Sequence, residues 1–286
     1  MSTVTTDTPA AQRRTHHRSA VGADLRFTGV LRGEWIKMFS LRSTWWTLGA
    51  TVAVMVLFAL LQATSVQFLI DRPEMAGLEE FSMHGAEIVS AGYQFGMVTI
   101  GVLGALLVTG EYATGMIRST MAAVPTRLPV LAAKAVALAG VTVAVSAVSL
   151  ALAYLVTTPV LSRHDLVPDL ADGQTWQVFG GMVYFLVMVA LLALGLGTVL
   201  RHSAGAITGV LGLLLLLPIA LQLVNLDWVQ DVMTYLPLPA ATAFLAVNPE
   251  YSMAGGLTAG QGAAVVAAYS VVALTAGAVA LRRRDA

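Results

Sequence analysis

Few residues in this sequence are placed where they could do chemistry. His84, His164 and His202 are scattered along the chain. Metal or acid–base chemistry needs several His, Asp or Glu side chains converging at one depth. His16 and His17 stand together, but no third ligand is near them, so they read as part of a solvated tail. There is no cysteine, which removes thiolate metal sites, cysteine nucleophiles and disulfides. No Gly-x-x-x-x-Gly-Lys-Ser/Thr phosphate loop occurs. One segment does carry spaced functional residues: Glu111, Gly115, Arg118, Pro125, Arg127 and Lys134. Its Gly and Pro breaks bound a short apolar-basic stretch, which predicts a short helix between two defined breaks.

The elements that must position this segment are apolar. The chain has 286 residues, 57% of them hydrophobic and only 11% charged. A soluble domain usually carries about 25% charged residues. The apolar residues lie in runs, and a spanning helix needs ~20 of them. Six runs qualify, at about 45–66, 91–109, 131–157, 176–200, 204–224 and 261–281. The fold class expected is therefore an all-α integral membrane protein with six transmembrane helices. No charged residue lies away from the ends of these runs. Lys134, near the start of the third, is expected to snorkel to the membrane interface.

Charge sets the orientation. Fourteen of the sixteen Arg and Lys residues fall before span one, between spans two and three, between spans four and five, or after span six. Only Arg72 and Arg163 fall on the other side, which holds eleven acids. The positive-inside rule then makes both termini cytoplasmic. The segment from Glu111 to Arg127 is cytoplasmic by the same count. Residues 1–20 are polar and read as a disordered cytoplasmic tail, with a single membrane domain over 21–286. The tail is no signal peptide, because some 44 residues precede span one and that run is too long. Residues 24–42 read as an amphipathic interfacial helix. Arg26, Gly29, Gly33, Lys37 and Ser40 form its polar stripe, beside Phe27, Val30, Leu31, Trp35 and Met38. Trp45 and Trp46 mark the interface where span one begins. In the outer loop of residues 225–260, Pro237 and Pro239 break helix, and 240–247 is too short to span. A short helix there either re-enters the membrane or lies on its surface.

On these residues the sequence resembles the permease subunit of a type-2 ATP-binding-cassette exporter. In that family span two exits through a segment with a Glu, then a Gly and a basic residue. A Pro-Ser/Thr-Arg element and a Lys at the next span follow. Here Glu111, Gly115-Met116-Ile117-Arg118, Pro125-Thr126-Arg127 and Lys134 stand in those places. Met116 departs from the Thr common there. The run Ala193-Leu-Gly-Leu-Gly197 and the turn at Arg201 are a second match. With the six spans and the interfacial helix, the resemblance covers most of the chain.

The resemblance implies a division of labour. Two permease chains, identical or not, pair in a bacterial cytoplasmic membrane, and two copies of a separate ATPase subunit dock on them. The stretch 111–127 would be the coupling helix in a groove of that ATPase, with Glu111, Gly115, Met116, Ile117, Arg118, Met121 and Arg127 as its coupling residues. ATP and magnesium would be used by the partner; this chain would bind no cofactor, metal or nucleic acid and would not itself be an enzyme. The solute expected is amphipathic or hydrophobic, such as a drug, a peptide or a lipid. Tyr93, Gln94, Tyr154, Tyr184 and Gln222 are candidates for its path, or equally for bonds between helices.

Plainer readings stand beside these. Glu111 can cap or pair at a helix end, Arg118 and Arg127 can serve topology alone, and Gly205 with Gly209 can pack span five within the protomer rather than at a dimer seam. Pro218 predicts a kink in that span. A secondary transporter would place ionisable residues near the membrane midplane, and the runs show none. A structural or immunity-type membrane protein is distinguished from the permease by having no ATPase partner.

Overall fold

The computed structural model describes residues 26–71, 84–117, 127–248 and 252–283. Among these it is helical, with no strand, as long apolar runs require. Lipid offers no partner to a backbone N–H or C=O, and a helix satisfies both within one segment. Helix α1 is Phe27–Ser40, and α2 is Arg42–Ile70. Helices α3, Gly85–Ser90, and α4, Tyr93–Ala113, form span two in two pieces. Helix α5 is Arg127–Leu161, and α6 is Gly173–Leu200. Helix α7 is Ser203–Gln222, with a π-helical turn at Gly212–Leu216. Helices α8, Asp227–Thr234, and α9, Pro237–Leu245, lie in the connection between α7 and the last helix. Helix α10 is Ala259–Arg283.

Six of these, counting α3 with α4, are long and apolar enough to cross a membrane among the described residues. The helices mostly overrun the apolar windows. The third span has 35 residues, or about 52 Å of helix, against a hydrocarbon core of about 30 Å. Hydropathy marks the part that needs lipid, while helical hydrogen bonding continues past it.

Helix α6 is the centre of the bundle, packed chiefly against α4 and α10. Small residues set how close these helices come. A Cβ added at Gly104 would sit 2.5 Å from the Ala190 carbonyl oxygen. One at Gly195 would sit 2.5 Å from the carbonyl carbon of Ala273. The small-residue run 193–197 thus earns its place by packing. Gly205 and Gly209 do not behave this way. A Cβ at either meets only Leu200 or His202, at ordinary contact distance. The expected close packing of that pair within the protomer is corrected accordingly.

The break expected at Pro218 takes the form of the π-helical turn just before it, which accommodates the missing N–H. Pro237 does not break α9 but begins it, at a position where a lost N–H costs nothing. Ala240, Ala241, Phe244 and Leu245 are buried against α6 and α10, so α9 is inserted into the bundle rather than laid on its surface. The tail over 1–20 lies outside the described residues.

Candidate functional site

The basic end of the bundle holds four ionised side chains in one cluster. Glu34 and Lys37 come from α1, Glu111 from the last turn of α4, and Lys134 from the second turn of α5. Lys134 Nζ donates to Glu34 Oε2 at 2.5 Å and to Glu111 Oε1 at 2.6 Å. Lys37 Nζ donates to Glu34 Oε1 at 2.7 Å and lies 3.4 Å from Glu111 Oε1. The side chains of Lys134, Glu34 and Glu111 are only 3%, 4% and 9% exposed. Two carboxylates and two ammonium groups balance, which is what makes such burial tolerable.

Local sequence places each of them. Glu34 and Met38 are one helical turn apart on the face of α1 that packs on α5. Met38 is fully buried among Leu103, Val108, Leu138 and Leu281, which presses Glu34 against Lys134. The outer side of α1 is wet or lipid-facing: Trp35 and Ile36 are exposed, as are Trp45 and Trp46 at the start of α2. Trp45 Nε1 donates to the Phe39 carbonyl at 3.0 Å, fixing the corner between α1 and α2. Burial alone would lower the pKa of Lys37. The hydrogen bond that Lys37 donates to Glu34 and the charges of Glu111 and Glu34 outweigh it, so the group is held above its ordinary value.

Lys134 is therefore not the snorkelling anchor its sequence position suggests. Helix α1 folds over the start of α5 and supplies carboxylates, so the ammonium turns inward instead of toward headgroups. Glu34 has no place in the motif reading, where it is one acid in a basic stretch. The signal it offers is its spacing, three residues before Lys37 and four before Met38 on one helix face. The spanning helices do contain ionisable residues, then, but near their ends and not at the midplane: Glu111 and Lys134 at the basic end, Glu87 at the other.

The chain leaves α4 in an ordered way. Thr114 donates its amide to the Gly110 carbonyl, and Gly115 to that of Tyr112. Gly115 has φ +73°, a conformation that glycine adopts without steric cost at a helix end. Met116 is then exposed and Ile117 buried. Arg118 and Met121 lie outside the described residues, as does the expected helix over 118–126. Arg127 opens α5. A second tie holds the same end. The Arg201 guanidinium lies 5.1 Å from the centroid of the Tyr112 ring, beside Glu111 in sequence. Arg201 itself ends α6 with φ +56°, and His202 accepts from the Gly205 amide to begin α7.

The family model described as ABC-2 family transporter protein matches residues 30–286. This chain belongs to the ABC-2 transporter family. It is a multi-pass membrane component of that transport family, and the match takes in both the quartet and all six spans. None of the curated proteins compared with the chain matches it.

The path candidates of this ABC-2 chain separate into two groups. Tyr93 and Gln94 line one cavity of about 360 Å³ at the acidic end of the bundle. Gln222 is near it, its Nε2 3.8 Å from the sulfur of Met253, which also lines the cavity. Tyr154 and Tyr184 bond neighbouring segments instead. Tyr154 Oη donates to the Pro168 carbonyl at 3.4 Å, and Tyr184 Oη to the Ala263 carbonyl at 2.8 Å. Among the described residues no group of three His, Cys, Asp or Glu could hold a metal.

Proposed function

We propose that this chain is the permease of an ATP-driven exporter, and that the Glu34–Lys37–Glu111–Lys134 quartet joins it mechanically to its ATPase. The observation that carries the reading is where the quartet sits. It binds α1 to the last turn of α4 and the second turn of α5, the two helices that flank residues 114–126. Displacing either helix that flanks this segment displaces α1 with it. If an ATPase grips that segment, with Met116, Met121 and Arg118 as contacts, its closure drags α4, α5 and α1 together. Ion pairs buried this deeply resist being pulled apart, because each separated charge would lose its partner without gaining water.

In this reading the basic end faces the cytoplasm of a bacterial cell, which agrees with the positive-inside count. Two copies of the ATPase serve a pair of permease chains. ATP and magnesium act on the partner, and this chain supplies the solute path. The solute is amphipathic or hydrophobic, as apolar spans favour. ATP-driven movement is then a shift between inward- and outward-facing states, biased by contacts that differ between them.

Reconstitution with the co-purifying ATPase in liposomes is the test. Glu111→Ala and Arg118→Glu are expected to leave ATP hydrolysis running while transport falls at least tenfold. Transport unchanged in both variants would remove the role given to this loop. An ATPase rate indifferent to the presence of the permease would remove the coupling itself.

A further inference from the structure

The cavity at the acidic end has a chemistry of its own. Its volume is about 360 Å³, and it lies between α2, the start of span two, the π-helical turn of α7 and the inserted α9. Phe58 and Phe95 stack beside it with centroids 3.4 Å apart and planes within 17°. Gln62, Gln94 and Met253 add amide and thioether groups. Among the described residues the one acid in its wall is Glu87, whose Oε1 accepts the Val247 amide and so ties α3 to the stretch just after α9. Among the described residues no Lys or Arg lines the cavity, and Glu87 is in no ion pair. The nearby His84 is engaged elsewhere, with Asp172 at 3.3 Å.

From this we infer that the cavity binds a monovalent organic cation with an aromatic or bulky apolar body, Glu87 being its counter-charge. Three features converge on that class. An uncompensated carboxylate between low-dielectric walls concentrates cations. Phenyl faces beside it attract the same charge and take up apolar surface. Methionine sulfur is polarisable and adapts to irregular bodies. An anionic solute would meet Glu87 with no compensating base among the described lining residues. The volume falls in the usual range for small-molecule sites. The inference rests on the export reading for its meaning, since it names the class of solute that would be moved.

The test uses the full-length chain in nanodiscs of native lipid, with any ATPase that co-purifies. The probes are tetraphenylphosphonium and tetraphenylborate, which share a shape and differ in charge sign. Binding is read against protein-free nanodiscs, which removes partition into lipid. The wild-type chain is expected to bind the cation at least tenfold more tightly than the anion. Glu87→Gln keeps an acceptor for the Val247 amide, so the fold is retained. It is expected to weaken the cation about tenfold and leave the anion unaffected. Phe95→Ala should weaken the cation several-fold while Glu87 is present. Equal binding of the two probes, or unchanged cation binding in Glu87→Gln, overturns the inference. Neither result touches the coupling role of Glu111, which is read by ATPase and transport assays. Conversely, selective cation binding together with full transport in the Glu111 and Arg118 variants would sink the coupling reading alone.

Discussion

Lys134→Met is the sharpest perturbation of the basic-end cluster. Met has nearly the reach of Lys but no charge. The substitution removes the donor 2.5 Å from Glu34 and 2.6 Å from Glu111 and leaves two carboxylates in a site less than a tenth exposed. Lys37 remains, but its side chain is 35% exposed and its contact with Glu111 is the long one, 3.4 Å. One buried negative charge is then uncompensated. Breaking a buried pair from one side typically costs 3–5 kcal/mol, or about 10²- to 10⁴-fold in the folded-to-unfolded ratio.

The double variant Glu111→Gln with Lys134→Met is the decisive comparison. It removes one charge of each sign, and Glu34 keeps Lys37 at 2.7 Å. It is expected to be more stable than Lys134→Met alone, with a coupling energy of about 1–3 kcal/mol. Unfolding by titration with sodium dodecyl sulfate in mixed micelles, followed by tryptophan fluorescence, measures both. A Lys134→Met protein within about 0.5 kcal/mol of wild type would refute the argument, since that is the range of an ordinary surface substitution. Strict additivity of the two single losses would refute it equally.

Two further outcomes follow from single positions. Lys37 has a pKa held above its ordinary 10.5, so its stabilising effect is complete below that pH and fades as pH rises through the raised value. The stability difference between wild type and Lys37→Met should be constant from pH 7 to about pH 10 and shrink above it; a difference that already shrinks at pH 8 would contradict this. Gly195→Val forces a branched side chain onto the Ala273 backbone, and an overpacked site of this kind costs about 1–3 kcal/mol in the same unfolding assay, whereas Gly212→Val, with open space around it, should cost less.

What the sequence made legible depended on whether a feature is local. The six spans are runs of apolar residues, and each run needs nothing but itself to be seen. The end of α4 was legible too, because Glu111 and Gly115 are separated by one helical turn and a glycine is what the φ of +73° demands. The quartet was not. Glu34 and Lys134 are 100 residues apart, and they meet only because α1 folds back over the start of α5. A lysine three residues into an apolar run looks like an interfacial anchor until a second helix covers it. The cavity was half legible: Tyr93 and Gln94 stood out as polar groups in an apolar run. Glu87 did not, since its importance comes from α9 closing over it.

Helix α4 connects the two sites. Eighteen residues separate Tyr93 from Glu111, roughly 27 Å of helix, with no proline between. Gly104 holds this helix against Ala190 of α6 at backbone distance, and Gly197 sits against Val108. Contacts that close leave no room for α4 to bend or slide locally. A displacement applied at Glu111 therefore reaches Tyr93 and Gln94 as movement of the whole helix, with α6 beside it. The stacked ring of Phe58 belongs to α2, outside the α4–α6 pair, so that wall need not follow. A rigid helix moving past walls carried on other elements changes the shape of the cavity without any wire of intermediate residues. The requirement is only that the basic end has two positions, and that the quartet holds in both.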